Sequence, residues 1–374
     1  MKTATFSLPL NVVLSGLLLS LSLLGGCAPP EPLRLGFIGG LTGRSADLAE
    51  SAHQGALLAV EQANAAGGIG GRKIELFARD DGQNPAMAVR VLEELAAQRV
   101  EAVIGPLTSA MAVAVLPAAE KAGLVMVCPT VTASPLSGKD DQLFKVVSST
   151  REHASHSAKY AYAQGTRRVA AVYDLGNSAY TRAWLTDFRE ALVALGGEVV
   201  VEAAFTSADD PSYRNAVSML GAARPDAILL IANAVDTVRL LLIARKQGLA
   251  AKAIGVTWAA TEQLIELGGR TVEGLILTQF FNRDDTSPRY QAFQATYRAR
   301  FKQEPGFASI AAYDATRATL FAIGKRGKEP LKQTLLTAGP YEGAQDLWNF
   351  DRFGDAQRRA YVTIVRDGRF VNVE

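Results

Sequence analysis

The sequence predicts an α/β protein with two lobes of similar size, each a parallel sheet flanked by helices. Three observations predict it. Short apolar runs of strand length alternate with amphipathic helical stretches, and the series occurs twice along the chain. The 374 residues exceed one ordinary domain and suit two. The last segment breaks the alternation with strand–turn–strand signals. No period of 20–50 residues recurs, so a solenoid is not expected.

The first series begins with an apolar run at 33–39, read as a buried strand. A helix is expected over 47–66, where Leu48, Ala52, Ala56, Ala59, Val60 and Ala63 share one face and Gly67-Gly68 ends it. A strand at 73–79 and a helix at 85–98 with Pro85 at its start follow. A strand at 100–104, a helix at 109–122 and a strand at 124–127 complete the series. The second series has strands at 169–173, 198–204, 227–231, 253–256 and 274–278. Its helices are expected at 178–195, 212–222 and 235–247, then 288–301 and 308–325. In the tail, strands at 347–351 and 361–365 are joined through a Gly354-Asp355 turn, and Asp367-Gly368 makes another. Strand–helix–strand alternation implies parallel strands with right-handed crossovers.

Composition excludes several functions. With 39 basic and 37 acidic side chains the net charge is +2, which does not suit nucleic acid as a partner. Two cysteines cannot build a disulfide framework, and three histidines leave little for a histidine metal site.

Lys2, the apolar run from Phe6 to Leu24 and the sequence Leu24-Gly25-Gly26-Cys27 read as a secretory signal over residues 1–26. The order Leu, two small residues, Cys resembles a bacterial lipobox, which implies lipidation at Cys27. Residues 27–32 are Pro-rich and form a stiff tether. Cys128 is then the only other thiol and is expected to be a small buried apolar residue.

The remaining motifs carry little chemistry one by one. The segment Gly36-Phe37-Ile38-Gly39-Gly40-Leu41-Thr42-Gly43 follows a strand, but its glycine spacing is wrong for a dinucleotide loop, so it is read as a turn. There is no nucleophile elbow and no P-loop, and no cofactor or metal is implied. His153 and His156 stand three apart without further ligands and are read as exposed helix residues. Asp80-Asp81 is too small a set for a cation and is read as capping the helix that follows. Two strand-end loops are more suggestive. Gly105-Pro106-Leu107-Thr108-Ser109 delivers Ser109 to a helix N-terminus, where free N–H groups and the dipole favour an anion. Pro129-Thr130-Val131-Thr132 offers two hydroxyls beside it. Together they can hold a carboxylate without an arginine.

An ordered series of segments resembles the periplasmic leucine/isoleucine/valine-binding proteins of branched-chain amino acid ABC transporters. It comprises Gly39 to Gly43, Gly55 to Glu61, Asn64 to Ile69, Gly71 to Leu76, Asp80-Asp81, Gly105-Pro106, Ser109, Pro129 to Thr132, Tyr313-Asp314-Ala315, Phe350-Asp351, Gly354-Asp355 and Asp367-Gly368. The resemblance implies a type I periplasmic-binding-protein fold: two Rossmann-like lobes joined by three hinge crossovers. It divides the chain into a first lobe of 33–149 and 281–345 and a second of 150–280 and 346–374.

The resemblance also implies that Ser109, Thr130 and Thr132 grip the ligand's polar head and that Tyr180 closes from the second lobe. The family's covering aromatic falls at Leu48, and the Tyr and Glu that help hold an ammonium fall at Asn233 and Thr257. Without that Glu a buried ammonium lacks an anionic partner, so a carboxylate without the amine, or an amide, is the better expectation. Trp258, Phe280, Phe281 and Phe307 are candidates for an apolar wall or for lobe core. Two positions bridged by a disulfide in some members are Gln83 and Thr108 here. The implied function is non-enzymatic: a periplasmic, lipid-anchored binding protein that captures a small carboxylate (branched-chain or hydrophobic amino acid-like, or an aromatic or organic acid) or an amide in the cleft between the lobes and delivers it to ABC permease subunits. The alternative is a ligand-binding sensor for a membrane kinase or chemoreceptor.

Overall fold

The computed structural model describes residue 1, residues 30–207 and residues 209–373. The expected signal segment, Cys27 and its lipidation lie outside the described residues. The first five-stranded sheet comprises β1 (Leu33–Gly39), β2 (Ile74–Asp80), β3 (Ala102–Ile104), β4 (Met126–Cys128) and β5 (Leu143–Lys145). Its order is β2-β1-β3-β4-β5 and every pair is parallel. Between the strands run α1 (Ala46–Ala65), α2 (Pro85–Ala97) and α3 (Ser109–Ala122). Successive residues of β1 serve opposite cores. Phe37 packs with Ala52 and Ala56 of α1, while Ile38 packs with Leu92 of α2 and Met111 of α3. A parallel sheet covered on both faces needs such a continuous apolar run.

The second half opens with α4 (Thr150–Ala163). It continues through β6 (Arg168–Asp174), α5 (Ser178–Ala194), β7 (Glu198–Phe205), α6 (Asp210–Ala222), β8 (Ala227–Ile231) and α7 (Ala234–Lys246). Then come β9 (Lys252–Gly255), α8 (Glu262–Gly268) and β10 (Ile276–Gln279). The chain next makes α9 (Pro288–Phe301), α10 (Phe307–Lys325), α11 (Leu331–Thr337) and a small ribbon of β11 (Tyr341–Glu342) and β12 (Leu347–Trp348). It ends in the hairpin β13 (Tyr361–Arg366) and β14 (Arg369–Asn372). The second sheet has the order β14-β13-β10-β9-β8-β6-β7; the tail hairpin joins it antiparallel and the rest is parallel. The hairpin turn is Asp367-Gly368, both at positive φ, and Glu273 accepts both of their N–H groups.

Residues 288–325 return to the first sheet. A Cβ on Gly55 of α1 would sit 2.0 Å from the Ser309 carbonyl of α10, so the two helices approach backbone to backbone and only glycine fits. Tyr313 donates to Gln62 at 2.7 Å and Tyr297 to Gln54 at 2.6 Å across the same seam.

Three segments cross between the sheets and are tied together. Ser148 Oγ donates to the Arg358 carbonyl at 2.8 Å, and Asn282 exchanges two hydrogen bonds with Gln345 at 3.0 and 2.6 Å. The N–H of Lys145 donates to the Gly354 carbonyl at 2.8 Å. One expectation changes here. Leu347–Trp348 pairs only with Tyr341–Glu342, and Trp348 and Phe350 pack on Tyr341 while Phe350 also meets Phe144. The residues just after 346 therefore stay with first-sheet neighbours, because four aromatic rings bury one another there; β13 is where the tail enters the second sheet.

Candidate functional site

The site grows from the ends of β3 and β4. After Ile104 the chain turns at Gly105, whose φ is +113° and where a Cβ would lie 2.2 Å from the Ile38 carbonyl. That turn delivers Thr108 and Ser109 to the start of α3. Thr108 does not cap the helix; its hydroxyl donates to Gln83 at 3.1 Å, a hydrogen bond where some relatives are expected to carry a disulfide. Ser109 Oγ accepts from the Ala133 N–H at 3.3 Å, which leaves its own proton to be given elsewhere. Thr130 donates to the Leu107 carbonyl at 2.5 Å and so locks the two loops together. The carbonyl of Thr132 accepts from the Thr150 N–H at 2.7 Å.

The facing wall comes from the second half. Tyr180 lies in the first turns of α5 and meets Trp258 edge to face at 5.8 Å. Burial pushes the Tyr180 hydroxyl well above its usual pKa, so it stays protonated. Trp184, one turn further along α5, stacks on Phe188. Thr257 and Trp258 belong to a 3₁₀ turn after β9, and the Thr257 hydroxyl donates to the Thr278 carbonyl at 2.7 Å. Phe280, just beyond β10, meets Phe307 edge to face at 6.3 Å. His153 comes from α4.

These walls enclose one cavity with about 490 Å³ of atom-free space, part of it open to solvent. None of its lining side chains is an aspartate, glutamate, lysine or arginine. His153 is the one lining imidazole, and burial, helped by nearby His156, lowers its pKa to about 4, so it is neutral at pH 7. The walls are also bridged directly. Asn177 Oδ1 accepts from the Ala110 N–H at 3.1 Å, Ser134 donates to Asp187 at 2.8 Å, and Arg44 pairs with buried Asp236 at 2.7 Å.

Ser109, Thr130, Thr132, Tyr180 and Thr257 all line this cavity, as do Leu48, Trp258, Phe280 and Phe307. Asn233 and Phe281 do not. Asn233 is the N-cap of α7: its Oδ1 accepts from the Asp236 N–H at 2.8 Å and its Nδ2 donates to Asp236 Oδ2 at 3.0 Å. Its amide is consumed by the helix start, which is why it is not brought to a ligand. Phe281 packs behind Phe280 in the core.

The histidines are also corrected. They sit on one helix, but His153 is 2% exposed and forms part of the wall, and His156 is half-buried. Asp80 does not cap α2, which Asn84 caps instead; Asp80 accepts from the Leu41 N–H and the Thr42 hydroxyl and ties down the Gly-rich turn. Sequence reasoning did not find Val147, Asn177 or Trp184. Trp184 had a signal in its spacing, since Tyr180 and Trp184 are four apart on one predicted helix. Among the described residues no cluster of three side chains is able to hold a metal.

The Periplasmic binding protein family matches residues 32–369. The chain is 24% identical over 331 residues to the leucine-, isoleucine-, valine-, threonine- and alanine-binding protein of Pseudomonas aeruginosa, covering 87% of each. It is 26% identical to the Leu/Ile/Val-binding protein of Escherichia coli K12, covering 77% of this chain and 80% of that one. Its fold is similar to the substrate-binding protein LivJ of Streptococcus pneumoniae in complex with isoleucine, with a TM-score of 0.82 at 25% identity over 91% and 99% of the two chains. A solute-binding protein from Rhodopseudomonas palustris in complex with 3,4-dihydroxybenzoic acid shares the fold, with a TM-score of 0.81 at 21% identity over 92% and 96%. The chain therefore belongs to the periplasmic binding protein family, as a two-lobed, type I extracytoplasmic solute-binding protein of the kind that serves ABC importers.

Proposed function

We propose that this protein captures a small carboxylate that carries no ammonium group and delivers it to membrane permease subunits. Candidates by class are aromatic or branched organic acids, with amides as the neutral variant. The observation that supports this reading is the lining: hydroxyl donors at the start of α3, apolar rings around them, and no anionic side chain. Ser109 and Thr132 line the cavity, and on this reading they donate O–H to the carboxylate, with the dipole of α3 behind them. Thr130 and Thr257 have given their protons to backbone carbonyls and present only lone pairs. A buried ammonium would face neutral oxygens alone, at a cost of several kcal/mol relative to a carboxylate partner. Proteins of this fold take ligands as different as isoleucine and 3,4-dihydroxybenzoic acid, so the ligand has to be read from the lining.

The ligand touches both walls, so binding favours the closed arrangement about the crossings near residues 149, 281 and 345–358. Cys27 is proposed as the lipid-bearing residue, on the lipobox-like sequence alone. The Ser109→Ala/Thr132→Val double variant should weaken acid binding at least 100-fold in calorimetry while keeping its circular dichroism spectrum. Unchanged affinity would refute the carboxylate site. Palmitate incorporation in cells should disappear in Cys27→Ser, and labelling that persists would refute the anchor.

A further inference from the structure

Several polar atoms of the second wall have no place in the reading above. Both ring nitrogens of His153 are buried without a hydrogen-bond partner in the protein, and so are the indole nitrogens of Trp184 and Trp258. All three side chains line the one cavity. His153 and Trp184 are 2% and 1% exposed. Buried donors and acceptors are nearly always paired, so three side chains of one cavity wall that carry unpaired nitrogens suit something other than hydrocarbon. Their chemistry is specific. Each indole N–H is only a donor, whereas a neutral imidazole has one donor and one acceptor nitrogen. A carboxylate serves donors alone. A hydroxyl accepts from an N–H and donates to an imidazole nitrogen at once.

The polar groups also divide by wall. Thr108, Ser109, Thr130 and Thr132 come from loops of the first sheet; His153, Trp184 and Trp258 come from the second half, as do Asn177, Tyr180 and Thr257, which already have partners in the protein. A carboxylate with a wholly apolar body satisfies only the first set.

We infer that His153 is a specificity-determining residue which, with Trp184 and Trp258, holds a second oxygen of the ligand, a hydroxyl on a ring-sized apolar body that bears the carboxylate. The inference rests on the carboxylate assignment to Ser109 and Thr132. The ligand class is then a hydroxylated aromatic or cyclic acid. The rings of Tyr180, Trp258, Phe280 and Phe307 form the slot for its body. Such a ligand bridges both walls by hydrogen bonds, so it is bound more tightly in the closed state than one that satisfies a single wall.

Calorimetry with matched acids tests this: benzoate against 3- and 4-hydroxybenzoate, and phenylacetate against 4-hydroxyphenylacetate. The full chain should bind at least one hydroxylated acid ten times or more tighter than its parent. In His153→Phe that preference should fall below threefold. Trp258→Phe keeps an aromatic ring while removing the indole N–H together with its five-membered ring, and should reduce the preference in part; it serves if His153→Phe does not fold. Equal affinity of parents and hydroxylated acids, or a preference indifferent to both substitutions, overturns the inference. If acids bind through Ser109 and Thr132 without a hydroxyl preference, the inference fails and the carboxylate site stands. If none of the five acids binds at millimolar concentration, the inference fails, and the carboxylate site then stands or falls with the branched acids.

Discussion

His153 has two consequences at the scale of one residue. Burial holds its pKa near 4 in the folded protein, against about 6.5 in an unfolded chain. Between those values the unfolded chain binds the proton and the folded one does not, so stability falls as the pH drops from 6.5 towards 4. The loss from this one group amounts to about 3 kcal/mol at the acid end. Urea unfolding of the wild type and His153→Gln at pH 7 and pH 4 should show the wild type losing about 3 kcal/mol more than the variant. Equal losses would mean that the imidazole protonates freely in the fold. Cys128 is the opposite case: it is buried, donates to the Gly105 carbonyl at 3.1 Å, and burial raises its thiol pKa well above normal. It is inert packing under the loop that carries Ser109, as its isolation in the sequence suggested.

Residue identity alone was a partial guide to the site. Ser109, Thr130 and Thr132 were legible because they follow strands of one parallel sheet, and such strand ends share an edge. Tyr180 and Thr257 were legible only through the family resemblance. Asn233 was misplaced because matching positions cannot show that an amide beside Asp236 will turn back to cap its own helix. His153 was misjudged because the buried face of α4 consists of Thr150, His153, Ala154, Ser157, Ala158 and Ala161. Such a face is small and polar, and it gives no hydrophobic period to read.

At the scale of elements, those with a clear apolar run were readable, even the three-residue β3 and β4, while α4 was given no range despite its 14 residues. β1, α3, β8 and α9 fall on their expected residues because each has a full apolar period and a clear punctuating residue. β5, α8 and α11 span three to seven residues, too few to show a period. The join between α10 and the tail crossing rests on a buried ion pair. Arg358 meets Asp314 at 3.0 Å, with side chains 2% and 0% exposed, and Asp314 also accepts from the Ala344 N–H at 2.6 Å. Removing one partner strands the other charge in the interior. Asp314→Ala should therefore destabilise the protein by about 3–5 kcal/mol in urea unfolding at pH 7. A loss under about 1 kcal/mol would show that Arg358 finds water when its partner is gone.

At the scale of the molecule, the two sheets are separate in hydrogen bonding yet interleaved in sequence, because residues 288–325 return to the first sheet and the tail hairpin returns to the second. The walls meet through a few polar bridges, among them Arg44 with Asp236 and Asn177 with Ala110, around a cavity whose lining carries no charge at pH 7. That combination favours an acid over an amino acid as the proposed ligand. The most direct test is calorimetry on pairs that differ only in the ammonium group, leucine against 4-methylpentanoate and phenylalanine against 3-phenylpropanoate. The acid of at least one pair should bind ten times or more tighter than its amino acid; tighter binding of leucine or phenylalanine would show that the cavity accommodates an ammonium group.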